Sequence, residues 1–209
     1  SAPSTSTPAS TPASLRVTIV GASGYAGGET LRLALGHPHL DVVQVTSERY
    51  AGEPVGNVHP NLRSVTRLRF EPLAQLRDTD VLIVALPHGH FAGQLERFAD
   101  HARILIDLSS DMRLQDAELY ERTYGAPHPA PEALGSFVYA VPELQRAKLA
   151  GATRIAGAGC IATATQLALA PFLRSPILAK HDVIADAKIG SSAAGAAPEK
   201  IPFTNQRPL

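Results

Sequence analysis

The sequence predicts an α/β fold in which a doubly wound parallel sheet carries helices on both faces. Short apolar, β-branched runs alternate with helical patterns at the spacing of βαβ units. Two of these runs, at 16–20 and 81–86, have the composition of strands that are buried on both faces. Ligands of such sheets bind beyond the carboxyl ends of the strands, so the residues that follow each strand form the candidate site.

The first βαβ unit has the clearest pattern, with strands at 16–20 and 42–46 and a helix at 29–35 between them. Further strands are predicted at 67–70, 81–86, 104–106, 154–156 and 182–189, with a short strand and a helix within 137–149. Further helices are predicted from Pro72, at 91–101, at 116–124, and from Cys160 to a break at Ala170 and Pro171.

The composition excludes several classes of protein. The 19 basic and 19 acidic residues leave no excess charge for nucleic acid or an anionic membrane, and no apolar run reaches the length of a membrane span. One cysteine excludes an intramolecular disulfide framework, and the eight histidines show no metal-binding spacing. We expect a cytoplasmic protein without a metal, whose partner is a small molecule or another protein.

Three parts follow from the changes in composition along the chain. Residues 1–14 contain only Ser, Ala, Pro and Thr, which predicts a disordered leader. Residues 15–175 are predicted to form a nucleotide-binding domain that ends in the helix after Cys160. Residues 176–209 are predicted to begin a second, α+β domain.

A glycine-rich loop between the first strand and helix has the spacing G-x-x-G-x-x-G, in the context of a dinucleotide-binding loop of Rossmann type. Its backbone can approach a pyrophosphate while the helix N-terminus faces the negative charge. The residues predicted to bind the cofactor here are Gly21, Ser23, Gly24, Tyr25, Ala26 and Gly27. The alternative is a tight turn that needs only positive φ.

The end of the second strand bears on the choice of cofactor. An acidic residue there binds the ribose hydroxyls of NAD, whereas an Arg accommodates the 2′-phosphate of NADP. Ser47 and Arg49 favour NADP and are predicted to contact it, while Glu48 points the other way. Arg49 as an ordinary surface charge is the alternative.

Cys160 follows a glycine run and begins a helical pattern, so unpaired N–H groups and the helix dipole favour a negative charge at its sulfur. The alternative is a small buried apolar residue at a turn. His88, Ser109 and Arg113 follow two other strands and are candidate substrate-binding residues. A solvated surface histidine and a helix-capping Ser109 or Asp111 are the alternatives.

Together these motifs resemble the N-acetyl-γ-glutamyl-phosphate reductase family. The matching segments are VGASGYAG (20–27), LPHG (86–89), DLSSDMRL (107–114), YAVPEL (139–144) and GC (159–160) with TA (163–164). Three further segments resemble the lysine-pathway branch of the family, namely AGAGC (156–160), ATAT (162–165) and GSSAAGA (190–196). Ile161 and Met112 depart from the usual residues at their positions.

The resemblance implies an NADP-dependent reductase in lysine or arginine biosynthesis. Its substrate is an aminoadipyl phosphate on a small acidic carrier protein, or N-acetyl-γ-glutamyl phosphate. Cys160 forms a thioester with the acyl group, and hydride transfer yields the semialdehyde. The resemblance also implies a homo-oligomer and a family chain that continues past Leu209 with a catalytic histidine. Residues 200–209 match no segment recognised in the family, so a truncated or a frameshifted end is expected.

Two other functions remain open on the residues alone. The chain can be a non-catalytic NADP-binding fragment of such an enzyme. It can also be similar to aspartate-semialdehyde dehydrogenase, although that family places its cysteine after Asn, and here Gly159 precedes Cys160.

Overall fold

One sheet of seven parallel strands organises the computed structural model, which describes residues 14–172 and 182–195. The strands are Leu15–Val20 (β1), Leu40–Thr46 (β2), Phe70–Glu71 (β3), Thr79–Val84 (β4), Ala102–Asp107 (β5), Val138–Ala140 (β6) and Arg154–Gly157 (β7). Their order is β3-β2-β1-β4-β5-β7-β6, and every pairing is parallel. The predicted doubly wound parallel sheet is therefore confirmed.

Helices cover both faces of the sheet. They are Tyr25–Leu35 (α1), Val55–Val58 (α2), Leu95–Ala99 (α3), Ala117–Tyr124 (α4), Pro142–Leu149 (α5) and Cys160–Leu169 (α6). Because successive strand residues point to opposite faces, Val81 of β4 packs in one apolar cluster with α1, and its neighbour Leu82 packs in a second cluster with α3. No helix among the described residues is long and apolar enough to cross a membrane.

Several elements differ from the predictions in extent or kind. Helix α1 begins at Tyr25 rather than at residue 29, which places Gly27 and Gly28 in its first turns. The strand predicted at 67–70 is the two-residue β3. The helix predicted at 91–101 is a 3-10 turn followed by the short α3. The helix predicted from Pro72 is wrong, since only one 3-10 turn forms at Leu73–Gln75.

Buried Gln44 explains why no helix forms after Pro72. Its side-chain amide donates to the carbonyl of Gln75, and its oxygen accepts from the N–H of Arg77. These bonds hold the segment 75–77 against β2, and the chain then continues into β4.

The strand predicted at 182–189 is also wrong, because the backbone there is irregular and pairs with no strand of the described chain. A strand needs a hydrogen-bonding neighbour and a surface to pack on, whereas Ile184 is 93% exposed. The predicted leader lies outside the described residues except for Ser14, and so does the tail from 196 onward.

Candidate functional site

The glycine-rich loop lies where the direction of chain progression across the sheet reverses. From β1 the chain proceeds to β2 and β3 on one side, then returns to β4 on the other side of β1. The segments after β1 and β4 therefore flank a crevice at the carboxyl edge, where open α/β sheets bind ligands. The N–H of Ala85 donates to the carbonyl of Val20 at 2.9 Å and ties the two segments together.

The loop after β1 needs its glycines for close approach. Gly21 has φ +74°, and a Cβ there would lie 2.5 Å from the carbonyl oxygen of Ala85. A Cβ on Gly27 would lie 2.3 Å from the carbonyl oxygen of Gly21. Gly24 precedes α1 without any side-chain cap, so the first N–H groups of the helix stay available to an anion. All six loop residues predicted to bind a cofactor lie here, and the geometry suits a pyrophosphate.

The end of β2 lies beside this loop. The hydroxyls of Ser23 and Ser47 are 2.7 Å apart. The carboxylate of Glu48 accepts the N–H of Leu73 at 2.7 Å, so it serves the chain itself. The Arg49 guanidinium lies over the ring of Tyr50 and forms no ion pair within the described residues. The end of β2 therefore offers the Arg49 guanidinium to a ligand, whereas the Glu48 carboxylate is already hydrogen-bonded to Leu73.

Asp111 organises the loop after β4. It is fully buried, and its carboxylate accepts the N–H groups of Gly89, Phe91 and Ala92 at 2.7–3.0 Å. The capping role considered for Asp111 is thus real, but it acts on the segment before α3, about twenty residues earlier in the chain.

His88 projects from the same loop and is held on both ring nitrogens. Its Nδ1 lies 2.9 Å from the Asp111 carboxylate and 2.7 Å from the Ser110 hydroxyl, so we assign the hydrogen to Nδ1. Its Nε2 lies 3.5 Å from the Tyr120 hydroxyl, and the ring packs on Tyr124. Burial and the nearby Asp111 carboxylate raise the pKa of Tyr120, so its hydroxyl stays protonated. His88 is partly exposed but fixed in orientation.

The loop after β5 contains a buried carboxyl group with an unusual environment. Asp107 is fully buried, its Oδ1 accepts the N–H of Ser109, and its Oδ2 has no partner among the described residues. Burial raises the pKa of Asp107 to about 6. Ser109 is buried too, and its hydroxyl accepts the N–H of Asp111. Ser109 thus organises the loop in this structure.

Arg113 joins the loop after β5 to the turn that carries Cys160. Its guanidinium donates to the carbonyls of Gly157 and Leu108 at 2.8 and 3.0 Å. A Cβ built on Gly159 would lie 2.9 Å from Nη1, so the cation lies directly beside the residue that precedes Cys160. Cys160 is exposed and is the first residue of α6, and the preceding Gly159 provides no side-chain cap to the helix. The predicted helix start at the cysteine is confirmed.

The predicted site residues therefore lie at one edge of one sheet, after β1, β2, β4, β5 and β7. The sequence did not point to Asp107 or Tyr120. Asp107 ends a buried strand, which was an available signal. No group of three or more metal-binding side chains occurs within residues 14–172 and 182–195.

Comparison with known proteins decides the family. A family model described as "Semialdehyde dehydrogenase, NAD binding domain" matches residues 16–152, and "Semialdehyde dehydrogenase, dimerisation domain" matches residues 160–206. The expectation that residues 200–209 match nothing in the family is therefore wrong for residues 200–206. The chain belongs to the semialdehyde dehydrogenase family. Among solved semialdehyde dehydrogenase structures, aspartate semialdehyde dehydrogenase II of Vibrio cholerae, complexed with ASA, is 18% identical with a TM-score of 0.55. The structural match covers 78% of this chain and 43% of the Vibrio cholerae chain.

A second solved structure, the aspartate semialdehyde dehydrogenase of Candida albicans with NADP, has a TM-score of 0.52 and is 14% identical. The structural match covers 77% of this chain and 47% of the Candida albicans chain. At these identities the likeness concerns the fold of the semialdehyde dehydrogenase family alone.

Curated relatives within the semialdehyde dehydrogenase family are much more similar in sequence. "[LysW]-L-2-aminoadipate 6-phosphate reductase" of Deinococcus radiodurans is 59% identical over 86% of this chain and 52% of its own length. "[LysW]-L-2-aminoadipate/[LysW]-L-glutamate phosphate reductase" of Saccharolobus solfataricus is 42% identical over 89% of this chain and 54% of its own length. These names confirm the resemblance to the lysine-pathway branch. The chain spans about half the length of the curated relatives it matches.

Proposed function

We propose that the protein to which this chain belongs is an NADPH-dependent acyl-phosphate reductase that works through a thioester on Cys160. The observation that carries the proposal is the arrangement of the glycine-rich loop and the Cys160 turn along the carboxyl edge of one contiguous set of strands, β1, β4, β5 and β7. A nucleotide site and an exposed nucleophile at one edge suit a covalent reduction.

In the first step the Cys160 sulfur attacks the acyl carbon. The carbon–sulfur bond forms, the bond from that carbon to the phosphate oxygen breaks, and the phosphate leaves with the electron pair and takes up one proton. The N–H groups of the first turn of α6 have no intrahelical acceptors, so they suit the developing oxyanion. Such donors contribute about 3 kcal/mol each in well-studied hydrolases. The resemblance assigns the proton transfer to a histidine beyond Leu209.

When bound, reduced nicotinamide cofactor supplies a hydride to the thioester carbon. The resulting hemithioacetal on Cys160 then collapses, which breaks the carbon–sulfur bond, releases the semialdehyde and restores the thiolate. The glycine-rich loop suits the pyrophosphate of the cofactor, and Ser47 and Arg49 suit a 2′-phosphate. NADP is favoured over NAD because Glu48 is bound to the N–H of Leu73 while Arg49 has no ion-pair partner within the described residues.

Arg113 and His88 are the candidate substrate-binding residues that the geometry supports best. The Nη1 of Arg113 lies beside the Cys160 turn and suits an anionic group of the acyl phosphate. His88 is held in place by Asp111 and its side chain stays partly exposed, which leaves the ring accessible to a substrate. Ser109 acts on substrate through the loop it organises.

The substrate follows from the names of the relatives. We propose an aminoadipyl phosphate carried on a small acidic protein, in lysine biosynthesis, with N-acetyl-γ-glutamyl phosphate as the arginine-pathway alternative. The match to a dimerisation domain supports a homo-oligomer. A cytoplasmic location belongs to the same proposal.

The test is an assay of the complete protein with semialdehyde, phosphate and NADP⁺, run in parallel for the two substrate classes. Production of NADPH in wild type and its loss in Cys160→Ala, with NADPH binding retained, is the expected result. Binding without turnover in wild type would contradict the reductase and favour a nucleotide-binding module. Turnover in Cys160→Ala would contradict the thioester.

A further inference from the structure

The segment that carries His59 is anchored at both ends and in the middle. Backbone hydrogen bonds join Phe70 to Glu53 and Val55 to Leu68, each at 2.9 Å. Val55 and Leu62 are buried in the core beside α1. His59 donates its N–H to the carbonyl of Val55 at 2.8 Å and accepts the N–H of Leu62 at 2.9 Å. The position of the imidazole is therefore set by the fold.

The imidazole makes two contacts with the glycine-rich loop. Its Nε2 lies 2.8 Å from the carbonyl oxygen of Ala22, and since a carbonyl only accepts, Nε2 carries the hydrogen. The ring also packs flat against Gly28 of α1, where an added Cβ would lie 2.3–2.8 Å from three ring atoms. Among the described residues no backbone N–H reaches the Ala22 carbonyl, so His59 is its donor.

Fixing this carbonyl also fixes the next N–H. The peptide bond between Ala22 and Ser23 is planar and trans, so its carbonyl and its N–H point in opposite directions. With the Ala22 oxygen turned toward His59, the Ser23 N–H points away from it. That N–H donates to no backbone acceptor in the described chain, and the Gly24 N–H that follows it bonds to Gly21.

We propose that His59 is a positioning residue for the cofactor, which holds the Ala22–Ser23 peptide so that the Ser23 N–H is presented to the pyrophosphate. The proposal rests on the proposed function, because it concerns the same nucleotide site. It assigns a role to a residue 31 positions away from Gly28 and outside the motifs that define the site.

The first experiment measures NADPH binding by fluorescence in the complete protein. His59→Phe keeps a ring but removes the donor, so the Kd for NADPH is expected to rise about tenfold. His59→Gln places an amide N–H near the same point, and its Kd should stay within about threefold of wild type. His39→Phe, at an exposed histidine at the opposite edge of the sheet, is the matched control.

A second ligand separates positioning from general damage. Adenosine 2′-phosphate lacks the pyrophosphate, so its affinity should be unchanged in His59→Phe. Equal weakening of both ligands, or unchanged NADPH binding in His59→Phe, would overturn the proposal. If wild type itself binds no NADPH, the proposed function fails instead, so the two failures are distinguishable.

A double-mutant cycle keeps the proposal testable if His59→Phe unfolds. Gly28→Ala pushes its methyl group into the His59 ring and should weaken NADPH binding. In a His59→Ala background the space is open, so adding Gly28→Ala should change the Kd by less than about twofold. The same loss in both backgrounds would show that the ring does not transmit the effect.

Discussion

Replacing Asp107 with Asn tests whether burial of this carboxyl group makes the stability of the fold depend on pH. The carboxyl group is fully buried at the end of β5, and its Oδ2 has no partner within the described residues. Burial is the main cause that raises its pKa to about 6, and the neighbouring Asp111 carboxylate adds to it. The folded protein therefore holds the proton more tightly than the unfolded chain does.

The sign of the pH dependence follows directly. The stabilising contribution is fully present below the unfolded pKa of about 4 and is lost as the pH rises through about 6. The difference between those pKa values corresponds to about 3 kcal/mol. Asp107→Asn carries no titratable group, so its free energy of unfolding relative to wild type should rise by about that amount between pH 4 and pH 7.

Urea unfolding of wild type and Asp107→Asn across this pH range measures the difference. Asp41→Asn, at an exposed position, is the matched control for the removal of one carboxyl group. A pH-independent difference between Asp107→Asn and wild type would refute the reasoning. A difference that moves in the opposite direction would show that the carboxylate is stabilised in the fold.

Three further predictions concern the loops around the site. Asp111→Asn weakens three charge-assisted bonds to backbone N–H groups, so urea unfolding should show a loss of about 3 kcal/mol, whereas Ser110→Ala should lose less than about 1 kcal/mol. Arg113→Lys cannot donate to two carbonyls in the same fork, so the rate of phosphate release on Cys160 acylation should fall about tenfold in rapid-mixing experiments, with exposed Arg122→Lys unchanged. Arg49→Ala should raise the Kd for NADPH about tenfold in fluorescence titrations and leave NADH binding unchanged. Equal effects on NADPH and NADH would remove Arg49 from the 2′-phosphate site.

The position of the site along the sheet could be predicted from the sequence, because it depends only on where each strand ends. In a parallel sheet every carboxyl end lies at one edge, so the positions of the glycine-rich loop, His88, Arg113 and Cys160 relative to the sheet followed once the strands were recognised. The same logic gives no side-chain partners. The sequence suggests that Asp111 caps a helix in its own segment. In the structure it binds N–H groups before α3, because the loops after β4 and β5 are neighbours in space.

Long-range contacts to small residues were the least predictable. His59 lies in a segment with no periodicity, and its partners are a carbonyl and a glycine, which leave no pattern in the sequence. The helix expected from Pro72 failed for a similar reason, since the side chain of Gln44 takes the backbone groups of that segment. The pattern at 182–189 suits a strand, but alternation alone supplies no neighbour to pair with.

Acylation of Cys160 tests the central claim most directly. The complete protein is mixed with the acyl phosphate in the absence of cofactor, quenched with acid and measured as intact mass, followed by peptide mapping. The thioester mechanism predicts one acyl group on Cys160, one phosphate released per active site, and loss of the adduct with formation of semialdehyde when NADPH is added. Phosphate release and reduction without any adduct on Cys160, or full activity in Cys160→Ala, would contradict it.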